Sequence, residues 1–225
     1  MRARRVGGAR GEPMLTIADV LARGAPPVAA ILRGLRPDEA EAHGRALIEA
    51  GLRIIEVPMN SPHPLESVRL LARVFDGEAV IGAGTVLTAA VVDQVADAGG
   101  RIVVSPNTDA SVIGRAVQRG LEPLPGFQTP SEAFRAIGAG ARRLKLFPAG
   151  PLGPKHLKAV KDVLPREVEI WAVGGAGADD AGDWLAAGAA GLGVGGSLYK
   201  PGDQPEIVGE RARALVAAVT AARSD

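Results

Sequence analysis

At 225 residues, 47% hydrophobic and 23% charged, the chain has the length and composition of one large globular domain with ample core material. Its formal net charge of +1 gives no strong electrostatic case for nucleic acid or a membrane as partner. The lack of cysteine excludes disulfides, thiolate zinc sites and cysteine nucleophiles, and His43, His63 and His156 do not have metal-ligand spacing.

Residues 1–13 carry four arginines and a Gly-Gly pair without an apolar h-region, so they read as a disordered basic tail ahead of a domain over 14–225. No apolar run reaches membrane-spanning length, and the expected location is the cytoplasm. A helix over Leu15 to Arg23 would cover the bottom of the fold. From Pro26 onward a short apolar run alternates with an alanine- and leucine-rich helix that closes at glycine. The first strand is Val28 to Leu32, with a helix from Pro37 to Ala50 that has proline in its first turn and Gly51 past its end. The second is Arg53 to Val57, with the helix Pro64 to Phe75. Ala79 to Ala83 is third, and Thr88 caps a helix to Ala98 before Gly99-Gly100. Arg101 to Ser105 is fourth, with Asp109 to Arg119, and Leu121 to Leu124 is fifth, with a helix opened by Thr129-Pro130-Ser131-Glu132 and running to Ile137. Arg142 to Phe147 is sixth, with Pro154 to Leu164. Val168 to Val173 is seventh, with Ala178 to Ala187. Gly191 to Val194 is eighth, and Pro205 to Ala222 finishes the chain.

Eight strand–helix units predict an α/β fold, a single (β/α)8 TIM barrel with an extra N-terminal helix. An open doubly wound sheet is less favoured, because no edge strand and no dinucleotide fingerprint is evident. In such barrels function collects where strands end. Those ends are Arg33-Gly34, Glu56 to Pro62 with Asn60, Gly82-Ala83-Gly84-Thr85, Ser105-Pro106-Asn107, Pro125-Gly126, Lys145 with Phe147-Pro148, Val173-Gly174-Gly175, and Gly195-Gly196-Ser197. The set suits an anionic phosphorylated carbonyl compound. Gly174-Gly175 and Gly195-Gly196-Ser197 follow the last two strands, where backbone N–H groups commonly cradle a phosphate, although glycines also simply fit tight turns.

Lys145 is one of five lysines against twenty-one arginines, and it sits between Leu144 and Leu146. Alternation puts Arg143, Lys145 and Phe147 on one face of their strand and the leucines on the other. A desolvated lysine can lose its proton and act as an amine nucleophile, which arginine cannot. Glu56 lies in the apolar run Ile54-Ile55-Glu56-Val57-Pro58, where burial would raise its pKa toward neutrality. A lysine leaving a strand end, or a structurally paired glutamate, is the plainer reading of each residue alone. Arg143 and Glu169 are expected to pair on the barrel floor, with Arg143 the cation that also lowers the pKa of Lys145.

The motifs Ile31-Leu32-Arg33-Gly34, Ile55-Glu56-Val57-Pro58-Met59-Asn60-Ser61-Pro62, Gly82-Ala83-Gly84-Thr85-Val86, Leu144-Lys145-Leu146-Phe147-Pro148 and Ala172-Val173-Gly174-Gly175 occur in this order. Together they closely resemble the class I KDPG/KHG aldolase family, which acts on 2-keto-3-deoxy-6-phospho sugar acids, over nearly all of residues 26–222. Within it they lie nearer the galactonate branch than the gluconate one. The resemblance implies Lys145 as the Schiff-base lysine and Glu56 as the general acid/base. It also implies Arg33 and Thr85 at the pyruvyl end, the two glycine clusters at the phosphate, and no cofactor or metal. Asn60, Pro106, Phe147 and Val173 complete the expected substrate contacts. Its implied partners are a small phosphorylated keto-acid and two further copies in a homotrimer. The galactonate branch commonly places its serine one position earlier than Gly195-Gly196-Ser197 does. The same chemistry on the gluconate epimer or on 4-hydroxy-2-oxoglutarate, and a non-lyase phosphate-binding isomerase or sensor, are the competing functions.

Overall fold

A computed structural model describes residues 14–223; the expected tail over residues 1–13 lies outside the described residues. Among these residues, nine strands run parallel in one sheet that curls into a nearly closed barrel, and nine helices surround it. The elements follow as α1 (Ile17–Ala22), β1 (Val28–Ile31), α2 (Pro37–Glu49), β2 (Ile54–Pro58), α3 (Pro64–Val74) and β3 (Val80–Gly84). Next come α4 (Ala89–Asp97), β4 (Ile102–Val104), α5 (Ala110–Gln118), β5 (Glu122–Leu124), β6 (Gly126–Phe127) and α6 (Pro130–Gly138). The chain ends with β7 (Arg143–Leu146), α7 (Ala149–Lys161), β8 (Glu169–Val173), α8 (Ala181–Ala186), β9 (Gly191–Val194) and α9 (Pro205–Ala222). Sheet order is β5-β4-β3-β2-β1-β9-β8-β7-β6.

The two ends of this sheet are consecutive in the chain. The expected fifth strand is β5, which pairs with β4, and past Pro125 the chain adds a short further strand, β6, which pairs with β7. Proline has no N–H to donate, so the ladder breaks there. Its carbonyl still accepts from Lys145 N at 2.9 Å, which ties the two edges together. The sequence reading ended its fifth strand at Leu124, as β5 does, and did not include β6.

Alternation sorts the strand residues into two cores. Leu144, Leu146, Ile170 and Ala172 face the helices. Ala29, Ile31, Ile54, Val80, Ile102, Val104, Leu124, Trp171 and Val173 fill the barrel, with Ile17 and Val20 of α1 packed among them. Helix starts follow the polar caps: Thr16 and Thr129 form capping boxes, and Thr88 and Asp109 accept from first-turn N–H groups. The helix expected from Pro154 begins earlier. Residues from Ala149 form a first turn that breaks at Gly153 (φ 75°) before the longer segment continues.

The floor of the barrel is charged. Arg143 donates from Nε to Glu169 Oε2 at 2.7 Å and from Nη1 to Glu122 Oε2 at 2.5 Å. Glu122 Oε1 accepts from the backbone N of Ile17 at 2.8 Å, which anchors α1 to β5. The expected Arg143–Glu169 pair is therefore present, with Glu122 as a second partner that alternation within one strand could not reveal.

Candidate active site

The mouth of the barrel, at the C-terminal ends of the strands, holds a cavity of about 830 Å³. Arg33, Lys145, Phe147, Val173, Gly174, Gly175, Gly195, Gly196 and Ser197 line it, all of them expected site residues. A surface groove of about 690 Å³ between α2 and α3, walled by Asp38, Glu66, Arg69 and Arg73, contains no buried nucleophile and lies apart from these strand ends.

Lys145 is buried on β7, opposite Gly126 of β6 and Trp171 of β8. Its Nζ lies 4.5 Å from the centroid of the Phe147 ring. Burial lowers its pKa, Glu56 opposes that shift, and Arg33 adds to it. The cation that bears on Lys145 is thus Arg33, from the end of β1, rather than Arg143, which is engaged by the floor carboxylates. That corrects the expected role of Arg143.

Glu56 is only 2% exposed, on β2 beside Ile31 of β1 and Gly82 of β3. Burial pushes its carboxyl up to about 7, while Lys145 and Arg33 pull it down. Its Oε2 is enclosed and has no hydrogen-bond partner among the described residues. Among the described residues no ion pair within 4.0 Å joins Glu56 to either cation, so a buried acid and a buried amine share one interior without closing on each other.

Arg33 is held from two further strand ends. Its Nη1 donates to Asn60 Oδ1 at 2.5 Å and, at 3.5 Å, to Thr85 Oγ1. Thr85 has φ 55°, a conformation disfavoured for a β-branched residue, and it directs the hydroxyl toward Arg33. Glu56, Asn60 and Thr85 do not line the cavity. They adjoin it through Arg33 and, for Glu56, through Lys145 as well. Pro106 stands apart, half-buried, with its carbonyl packed against Gly126.

The glycine wall is a turn rather than a rigid strand extension. Gly174 and Gly175 have φ of 85° and 98°, and Gly150 N, in the first turn of α7, donates to Gly174 O at 2.8 Å. Beyond them the cavity takes in Ala176, Gly177, Asp179 and Asp180, which the sequence reading missed. Asp180 fastens this loop: Oδ1 accepts from Gly177 N and Oδ2 from Trp184 Nε1, each at 2.7 Å. The signal available was an Asp-Asp pair just ahead of a helix, a capping pattern.

Residues 19–207 match the family model described as KDPG and KHG aldolase. The chain is 48% identical over 195 residues to the probable 2-dehydro-3-deoxy-6-phosphogalactonate aldolase of Rhizobium meliloti (strain 1021), covering 87% of this chain and 92% of that one. It is 44% identical over 192 residues to the 2-dehydro-3-deoxy-6-phosphogalactonate aldolase of Escherichia coli (strain K12), covering 85% and 94%. A solved structure described as native KDPGal superposes with a TM-score of 0.87 at 43% identity, covering 88% of this chain and 97% of the other. The chain belongs to the KDPG and KHG aldolase family.

Proposed function

We propose that this enzyme is a class I aldolase that cleaves 2-dehydro-3-deoxy-6-phosphogalactonate to pyruvate and glyceraldehyde 3-phosphate. The observation that carries the reading is the buried, unpaired Lys145–Glu56 combination beside a glycine-walled cavity. Its relatives' names supply the substrate.

Lys145, with its ammonium form disfavoured by burial and by Arg33, attacks the C2 ketone, and loss of water leaves an iminium. Glu56 takes the proton of the C4 hydroxyl as the C3–C4 bond breaks and its electrons pass into the iminium. Glyceraldehyde 3-phosphate leaves, Glu56 returns the proton to C3 of the enamine, and water releases pyruvate from Lys145. Arg33, oriented by Asn60 and Thr85, receives the carboxylate. The phosphate lies against the Gly174-Gly175 and Gly195-Gly196-Ser197 turns of the cavity wall, where glycine lets main-chain N–H groups approach an anion. The imine is the electron sink, so the reading assigns no cofactor or metal.

The eight expected strand units, with β5 and β6 counted as one, make this a (β/α)8 barrel, and residues 14–225 form the catalytic unit in this reading. Family resemblance further implies a homotrimer acting in the cytoplasm. A structural relative at 42% identity and TM-score 0.88, covering 89% of this chain and 74% of that one, is described as a cage designed by fusing symmetric oligomeric domains, which supports assembly.

Incubation with pyruvate and borohydride should add one pyruvyl group to the peptide carrying Lys145, and Lys145→Arg should abolish both labelling and cleavage. A label on Lys155 or Lys200 would reject the assignment.

A further inference from the structure

Gly84, the last residue of β3, stands where any side chain would displace the Glu56 carboxyl. A Cβ built on it would overlap Oε2, Cδ and Oε1 of Glu56, which are the three nearest atoms to that point. Backbone conformation does not account for the glycine. Gly84 is not among the residues with positive φ, so its main chain accepts an L side chain without strain. It lies within a regular buried strand, where glycine is otherwise unfavourable and marks a close approach by another group. The approaching group here is the Glu56 carboxyl, and the oxygen nearest Gly84 is Oε2, the one without a partner.

We infer that Gly84 is a positioning residue for the reaction: its bare Cα seats the Glu56 carboxyl against β3 and keeps it from closing an ion pair with Lys145 or Arg33. The argument rests on the reading of Glu56 as proton carrier. A methyl group at position 84 pushes the carboxyl off β3 into the barrel interior, where those two cations are its electrostatic partners. An ion pair formed there stabilises the carboxylate and the ammonium together. Both consequences oppose catalysis. Glu56 becomes a weaker base, and Lys145 spends less time as the free amine. Two consecutive residues, the last of β3 and the one after it, then serve the mouth differently, Gly84 by giving room to Glu56 and Thr85 by its hydroxyl contact with Arg33.

The test is Gly84→Ala alone and combined with Glu56→Asp, which withdraws the carboxyl by one methylene. Four readings are compared: kcat, its pH profile, the rate of pyruvate trapping by borohydride, and the melting temperature. Gly84→Ala should fold, lose about a hundredfold in kcat, move the acid limb of the profile to lower pH, and trap pyruvate more slowly. Adding Glu56→Asp to Gly84→Ala should recover activity, although Glu56→Asp alone reduces it. A Gly84→Ala enzyme with wild-type kcat and an unmoved acid limb overturns the inference, and so does a loss that Glu56→Asp leaves unchanged. If Gly84→Ala does not fold, folding of the double variant supports the clash with Glu56, and failure of both places the clash elsewhere and rejects it. A wild-type enzyme that forms no pyruvate adduct at Lys145 defeats the aldolase reading instead, whatever Gly84→Ala does.

Discussion

The inside of this barrel carries two charged triads, and they are built on opposite terms. On the floor, Arg143 is held by Glu169 through Nε at 2.7 Å and Nη2 at 3.3 Å, and by Glu122 through Nη1. The remaining carboxylate capacity is taken up by Ile17 N at 2.8 Å and Trp171 Nε1 at 3.4 Å. At the mouth, Glu56, Lys145 and Arg33 influence one another electrostatically, yet among the described residues Glu56 closes no ion pair and its Oε2 has no partner. Arg143 and Lys145 are successive inward residues of the same strand. Strand and face are shared, so what separates a structural charge from a reactive one here is residue type together with the satisfaction of its hydrogen bonds.

The sharpest way to break this comparison is to remove the unsatisfied acid. Glu56→Gln should lower kcat by about 10²–10⁴-fold and should also change stability with pH in a defined direction. Burial pushes the folded carboxyl up to about 7 from its ordinary value of 4.5, so between those values the folded state keeps a proton that the unfolded chain has lost. Wild-type stability therefore falls as pH rises through that window, by about 3 kcal/mol in all. Glu56→Gln lacks this loss. Its melting temperature should gain on wild type as pH rises from 4.5 to 7 and then hold a constant lead. A difference that does not vary with pH would show that burial leaves Glu56 an ordinary carboxylate.

The floor should respond in the reverse manner. Arg143→Met leaves Glu122 and Glu169 without their shared cation, and should cost about 3 kcal/mol, as loss of one partner in a mostly buried pair does. The shape of the pH–rate profile should stay as in wild type, because Arg33 supplies the positive charge beside Lys145. Urea unfolding and a pH–rate series on the same preparation check both halves. A shifted profile with intact stability would assign Arg143 to the mouth after all.

Much of this was legible in the sequence, for reasons that differ by residue. The strands stood out because buried parallel strands are short apolar runs closed by glycine turns, and Lys145 and Glu56 were conspicuous as lone charges inside such runs. Arg143 and Glu169 could be paired because alternation and neighbouring strands suffice. Glu122 could not, since it reaches Arg143 across the closure at Pro125, and that closure depends on the stagger of the barrel rather than on any local pattern. The same limit hid Arg33 as the cation near Lys145, because it joins strand ends far apart in the chain. Asp180 was invisible as a site residue because its work is to hold a loop.

The smallest effect should come from the apolar wall on which both triads depend. β8 rises from Glu169 on the floor through Trp171 to Val173 at the mouth, where Val173 is 5% exposed, borders the cavity and packs against Gly193. Threonine has nearly the same shape as valine and adds one hydroxyl, so Val173→Thr should leave Lys145 and Glu56 in place. The family resemblance implies threonine at the matching position of the gluconate branch, with a hydroxyl that can meet the C4 region of the substrate. The two epimers differ only in the direction of the C4 hydroxyl, so a new donor on this wall is felt by one of them. The expected result is a shift of the kcat/KM ratio toward the gluconate epimer by about 1 kcal/mol, the worth of one neutral hydrogen bond. Both epimers should be measured side by side on wild type and variant. A wild-type enzyme faster on the gluconate epimer, with a ratio that Val173→Thr does not alter, would remove Val173 from specificity and leave the wall to packing alone.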